Sequence, residues 1–167
     1  MFIMATMLKE VVEDRVLNCF ETAIQNVFKT MLDTHVRVSP PALKTKQLRT
    51  FDISGIISFT GEIQGSCVMR MNNETGINLV EKFAMEKYEI EDEDFIDAYG
   101  ELCNMVSGNA KKNFKMDAGI SIPSVIFGSG HMVARLKGVP AYIIYCSTDS
   151  GDFVLELNLK QLNFPGR

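Results

Sequence analysis

Between Leu48 and Met71 the chain reads LRTFDISGIISFTGEIQGSCVMRM, two runs rich in Ile, Val and Phe separated by Gly61 to Gln64. The runs are Ile53 to Thr60 and Gly65 to Met71. β-prone runs joined by so short a glycine-containing stretch pair as an antiparallel hairpin, because a parallel pair needs a crossover of about a dozen residues or more. That hairpin restricts the rest of the chain to folds that can add strands on either side and cover one face.

The flanking segments offer such cover. From Leu8 to Leu32 the apolar positions Val12, Val16, Cys19, Phe20, Ala23, Val27 and Met31 recur three and four apart, which predicts a long amphipathic helix. Pro40 and Pro41 end any helical continuation. After Met71, NNETG supplies turn and cap residues for a short helix over Ile77 to Met85, carrying Leu79, Val80, Phe83 and Ala84. The acidic run Glu89 to Phe95 favours a helix N-terminus, so a third helix is expected from about Asp92 to Phe114 or Lys115, ending before the Asp117-Ala118-Gly119 stretch. Beyond it, Ile120 to Phe127, Met132 to Leu136, Ala141 to Cys146 and Phe153 to Leu159 read as short strands, the last two paired around Asp149 to Asp152.

The order helix, strands, two helices, strands predicts one α/β domain over residues 1–167, a largely antiparallel sheet covered by long helices. The length of 167 residues and the 46% apolar fraction suit one domain with a sizeable core. A net charge of -4, with 17 Lys and Arg scattered along the chain, gives no footing for nucleic acid. Lys44, Lys46 and Arg49 come nearest to a basic patch, and their plain reading is solvation. The beginning MFIMATMLKEVVEDR lacks the basic start and the apolar run of about 7 to 15 residues that a secretory signal needs, so a cytoplasmic location without membrane insertion is expected. Cys19, Cys67, Cys103 and Cys146 stand far apart in apolar surroundings and read as reduced, buried thiols.

The informative stretch is DAYGELCNMVSGNAKKNF, Asp97 to Phe114. At about 100° per residue, Asp97, Glu101, Asn104, Gly108 and Lys111 share a band about 80° wide, opposite Phe95, Tyr99, Leu102, Cys103, Val106 and Ala110. Any surface helix has a polar face, but a glycine inside a helix costs about 1 kcal/mol relative to alanine. Gly108 therefore marks either close approach of another backbone or a kink at Ser107-Gly108-Asn109. Glu101 offers a carboxylate to a Lys or Arg. Asn104 is no general base, yet its amide can hold a water in line with an electrophile. His35 and His131 have no ligand or triad setting in the sequence, and no phosphate-binding glycine loop occurs.

This segment resembles the Glu-x-x-Asn signature of the CheC, CheX and FliY family of chemotaxis phosphatases. The family pattern has an acidic or small residue four before the Glu, then the Glu, the Asn three later and a Gly four after that. Asp97, Glu101, Asn104 and Gly108 fill those positions, and the likeness continues through SGNAKKNF into GISIPSVIFGSGH, Gly119 to His131. It implies a CheX/CheC-like fold and removal of the phosphoryl group from the aspartyl-phosphate of a CheY-like response regulator. By that resemblance Glu101 pairs with the regulator's active-site Lys and Asn104 positions the attacking water. Asp97, Gly108 and Lys111 line the partner-binding face. No cofactor is implied for this chain, since the Mg²⁺ belongs to the regulator; Glu91 to Asp94 run consecutively and splay around a helix axis. Three residues after Glu21 the first helix has Ile24, not Asn, so there is a single signature, as in the CheX branch. That branch implies a homodimer made by pairing sheet edges. The rival reading is a non-catalytic response-regulator binding module, which would need the surface but not both Glu101 and Asn104.

Overall fold

The computed structural model describes residues 12–162. They form α1 (Asp14–Leu32), β1 (Arg37–Val38), β2 (Ala42–Leu43), β3 (Ile53–Gly61), β4 (Ile63–Met71), α2 (Asn73–Ala84), α3 (Glu93–Lys112), β5 (Ala118–Ile120), β6 (Ser124–Phe127), β7 (Tyr142–Thr148) and β8 (Gly151–Gln161). The hairpin of β3 and β4 is present, in register from Ile53 opposite Met71 to Phe59 opposite Gly65. Its turn is tighter than the sequence suggests. Gly61 takes φ +96°, a left-handed conformation open to glycine, and so lets the strands close around Glu62.

All strands join one sheet in the order β1-β7-β8-β4-β3-β5, with β2 also on β7 and β6 also on β3, and every pairing is antiparallel. The expected α/β fold, a largely antiparallel sheet covered by long helices, is the observed one. The helices cover one face. Alternate residues of the central strands, such as Ile53, Ile57, Cys67, Met69, Leu155 and Leu157, meet Phe20, Phe28, Phe95, Tyr99 and Phe114 in a single core. Phe28 stacks on Phe153 with ring centroids 5.0 Å apart, and Phe20 meets Phe59 edge-on at 5.8 Å. On the opposite face Phe51, Ile143 and Val154 make a small second cluster beside the buried polar residues Ser54, Arg70, Glu156 and Asn158.

Several sequence expectations are corrected here. In α1 the buried face includes Leu17, Ile24, Phe28 and Leu32, whereas Met31 is 43% exposed; residues 8–11 of that expected helix lie outside the described residues. Helix α2 starts four residues earlier than expected because the Asn72 side chain accepts from the Thr75 N–H at 2.8 Å and caps it. The expected strand Ile120 to Phe127 is two strands, since Pro123 lacks the N–H that a continuous ladder needs. Met132 to Leu136 is not a strand. It crosses the outer face of the sheet, held by the Leu136 N–H on Asn158 Oδ1 at 2.6 Å and by Arg70 on the His131 carbonyl at 3.2 Å. The short β1 and β2, either side of Pro40 and Pro41, give too few residues to show a period and were not anticipated. No helix among the described residues is long and apolar enough to cross a membrane.

Candidate functional site on α3

Helix α3 begins at the N-cap Asp92, whose Oδ2 accepts from the Glu89 N–H at 2.9 Å, and Glu93 and Asp94 place negative charge in the first turn. Lys111 and Lys112 complement its last turn, and the Asn113 and Phe114 N–H groups return to Ala110 and Lys111 carbonyls. The end is tied to α1 by Arg15 Nη1 donating to the Phe114 carbonyl at 2.7 Å. Helix α3 therefore stops at Lys112, two or three residues short of the expected end, and Ala118 already belongs to β5.

The apolar face, Phe95, Tyr99, Leu102, Cys103, Val106 and Ala110, is buried as its spacing predicts. The Tyr99 hydroxyl donates to the Met69 carbonyl at 3.0 Å, fixing the rotation of α3 about its axis over the sheet. Gly55 in β3 makes room for it, since a Cβ there would collide with Cys103 Sγ and lie 2.9 Å from Tyr99 Cε1. Gly100 does the same on the flank, where a Cβ would sit 3.1 Å from Pro123 Cγ at the start of β6. That packing role of Gly100 is not legible in the sequence, because its neighbour Pro123 lies beyond the end of the helix and only the fold brings the two together.

With the buried side fixed, the polar stripe faces outward. Asp97 and Glu101 are exposed, and Asn104, Gly108 and Lys111 are partly exposed. The helix runs unbroken through Ser107-Gly108-Asn109, so the kink reading is set aside. A Cβ on Gly108 would meet only Ile120 Cδ1, at an ordinary 3.8 Å, and nothing inside the described residues requires a glycine there. Asn104 Nδ2 donates to Glu101 Oε2 at 3.5 Å, a long and weak contact that leaves both groups available to a ligand. Among the described residues Asn104 Oδ1 has no hydrogen-bond partner. Asp97 and Lys111 lie fourteen residues apart, about 21 Å along the axis, and frame the stripe without contacting Glu101 or Asn104.

Other reactive groups are withdrawn. Burial pushes the Cys67 thiol up to about 12 and raises Cys103 and Cys146 well above the ordinary thiol value. All four cysteines are free and buried, so none is a ready nucleophile. Ser54 Oγ and His131 Nε2 are 2.6 Å apart, but Ser54 has no exposed surface and cannot meet a substrate. Among the described residues no group of three His, Cys, Asp or Glu is placed to hold a metal ion.

The family model for the chemotaxis phosphatase CheX matches residues 53–147, more than half of the chain and all of α3. The chain belongs to the CheX family of chemotaxis phosphatases. Among solved structures, CheX from Desulfovibrio desulfuricans is 29% identical, with 84% of this chain and 96% of that one covered and a TM-score of 0.75. CheX from Vibrio vulnificus is 25% identical over 86% and 98% of the two chains, with a TM-score of 0.77. A chain of the CheX–CheY–BeF3–Mg²⁺ complex from Borrelia burgdorferi, 22% identical over 89% and 100% with a TM-score of 0.72, shares the fold. No curated protein matches the chain.

Proposed function

We propose that this CheX-family protein hydrolyses the aspartyl-phosphate of a CheY-like response regulator through Glu101 and Asn104. The observation that carries the reading is their placement on the outward face of an unbroken helix, side by side and joined by one weak contact. Glu101 forms an ion pair with the regulator's active-site Lys, a charge-assisted contact that sets the register of docking. Asn104 then enters beside the acyl phosphate, where Oδ1 accepts from a water and holds it in line with phosphorus. The water oxygen bonds to phosphorus as the bond to the aspartyl oxygen breaks, leaving a carboxylate, inorganic phosphate and a proton. Gly108, one turn on, lets the regulator's backbone approach, and Asp97 and Lys111 contact it at the two ends of the stripe.

Mg²⁺ arrives with the regulator and offsets phosphoryl charge there, in keeping with the partner composition of the Borrelia complex. The protein acts in the cytoplasm, where such regulators work, and two copies pair through a sheet edge. Phosphate release from phosphorylated CheY-like regulators, with and without this chain at fixed Mg²⁺, tests the reading. Acceleration supports it. Tight binding to the phosphorylated regulator with no acceleration for any of them would instead make the chain a binding module.

A further inference from the structure

On the face of the sheet turned away from α3, the segment Lys44 to Thr50 and the loop at Gly130 to Arg135 enclose a cavity of about 360 Å³. Its charge runs against the chain's acidic balance, because Lys44, Lys46, Arg49, Arg70 and Arg135 line it with Glu156 as the one carboxylate. Glu156 is 4% exposed and already holds three of these cations, with Lys44 Nζ at 2.9 Å, Arg70 Nη1 at 3.5 Å and Arg135 Nε at 3.8 Å. The Lys44 and Arg70 side chains are themselves only 11% and 10% exposed. One carboxylate neutralises one of them, and partly buried cations without a counter-charge are costly.

The site is also built. Arg70 Nε donates to Ser54 Oγ at 3.1 Å, Ser54 bonds His131, and His131 Nδ1 reaches the Gly128 carbonyl. Arg70 and Arg49 both lie over the Phe51 ring, at 5.3 and 5.7 Å, so the ring backs both guanidinium groups beside the cavity. The plain solvation reading of Lys44, Lys46 and Arg49 thus fails for Lys44, which is an ion-pair partner inside the cluster.

We propose that this cavity binds a small phosphate-bearing anion carrying at least two negative charges. Guanidinium forks and lysine ammonium groups suit phosphate oxygens, and the excess of positive charge calls for more than a single carboxylate. The site is separate from Glu101 and Asn104, so it can be tested without a regulator and stands or falls apart from the phosphatase reading.

Calorimetric titration of the full chain with inorganic pyrophosphate, against sodium chloride of matched ionic strength, tests it. Saturable one-to-one binding is expected, weakened at least tenfold in Arg49→Ala and Arg135→Ala, whose partly solvated side chains can be removed without unfolding the protein. Asn104→Ala should bind as the parent does. Heats no larger than those of the chloride control would overturn the proposal, as would unchanged affinity in both arginine variants. Co-sedimentation with phosphatidate vesicles separates a lipid headgroup from a soluble ligand. Binding to vesicles without binding to pyrophosphate would contradict a soluble anion, and binding to pyrophosphate alone supports it.

Discussion

At Glu101 the side chain is exposed and meets only Asn104, so the residue has little to do for the fold. Glu101→Gln keeps the shape and removes the charge. A hydrogen bond between charged groups is worth about 1.5 to 3 kcal/mol, so affinity for a stable mimic of the phosphorylated regulator should fall roughly ten- to a hundredfold. Titration of both proteins with that mimic checks the effect. Gly108 gives a test with two opposed readouts. A Cβ there has room in the described structure and relieves the helix cost of glycine, so Gly108→Ala should raise stability by about 0.5 to 1 kcal/mol in urea unfolding. The same substitution should lower turnover of the regulator, because in the proposed docking the added methyl would stand where the partner backbone approaches. A variant both more stable and fully active would remove Gly108 from the docking face.

At the scale of elements, the orientation of α3 depends on how closely it lies on β3. Gly55→Ala drives a methyl into Cys103 and Tyr99, and overpacking of this kind costs about 1 to 3 kcal/mol, which denaturant unfolding would register as a lower midpoint. This contact also shows where sequence reading succeeds and where it stops. The β3–β4 hairpin, the apolar face of α3 and its polar stripe were legible because each repeats over several turns or residue pairs. The partner that makes Gly55 necessary lies forty-eight residues away in sequence, at Cys103, and only the fold joins them. Likewise Met132 to Leu136 has the composition of a strand, yet it joins no ladder, and this stretch is held by Asn158 on the Leu136 N–H and by Arg70 on the adjoining His131 carbonyl instead. Glu156 sits inside the apolar run FVLELNL, where alternation points it to the outer face. Its cation partners, Lys44, Arg70 and Arg135, come from three distant segments that no local pattern connects.

For the molecule as a whole, the core holds several ionisable groups in their neutral form. Below about pH 8.5 the thiols are protonated in folded and unfolded chains alike, and their neutral burial contributes fully. As pH rises further the unfolded chain releases protons that the folded chain retains, since burial holds Cys67 up to about 12 and raises Cys103 and Cys146 with it. Stability should therefore fall with pH above about 9, by about 1.4 kcal/mol per unit for each such thiol, and less steeply in Cys67→Ala. Urea unfolding at pH 8, 9.5 and 10.5 checks this, and equal slopes in parent and variant would exclude Cys67 from it. The proposed function depends on a meeting of two whole molecules, in which this chain would supply a water-holding amide and its partner phosphate and Mg²⁺. The most direct measurement is single-turnover dephosphorylation of a CheY-like regulator by the parent and by Asn104→Ala, with binding of the regulator mimic followed in parallel. The account predicts that Asn104→Ala still folds and binds the mimic within about threefold of the parent while its rate falls to that of the regulator alone. Hydrolysis by Asn104→Ala at the parent rate would contradict it.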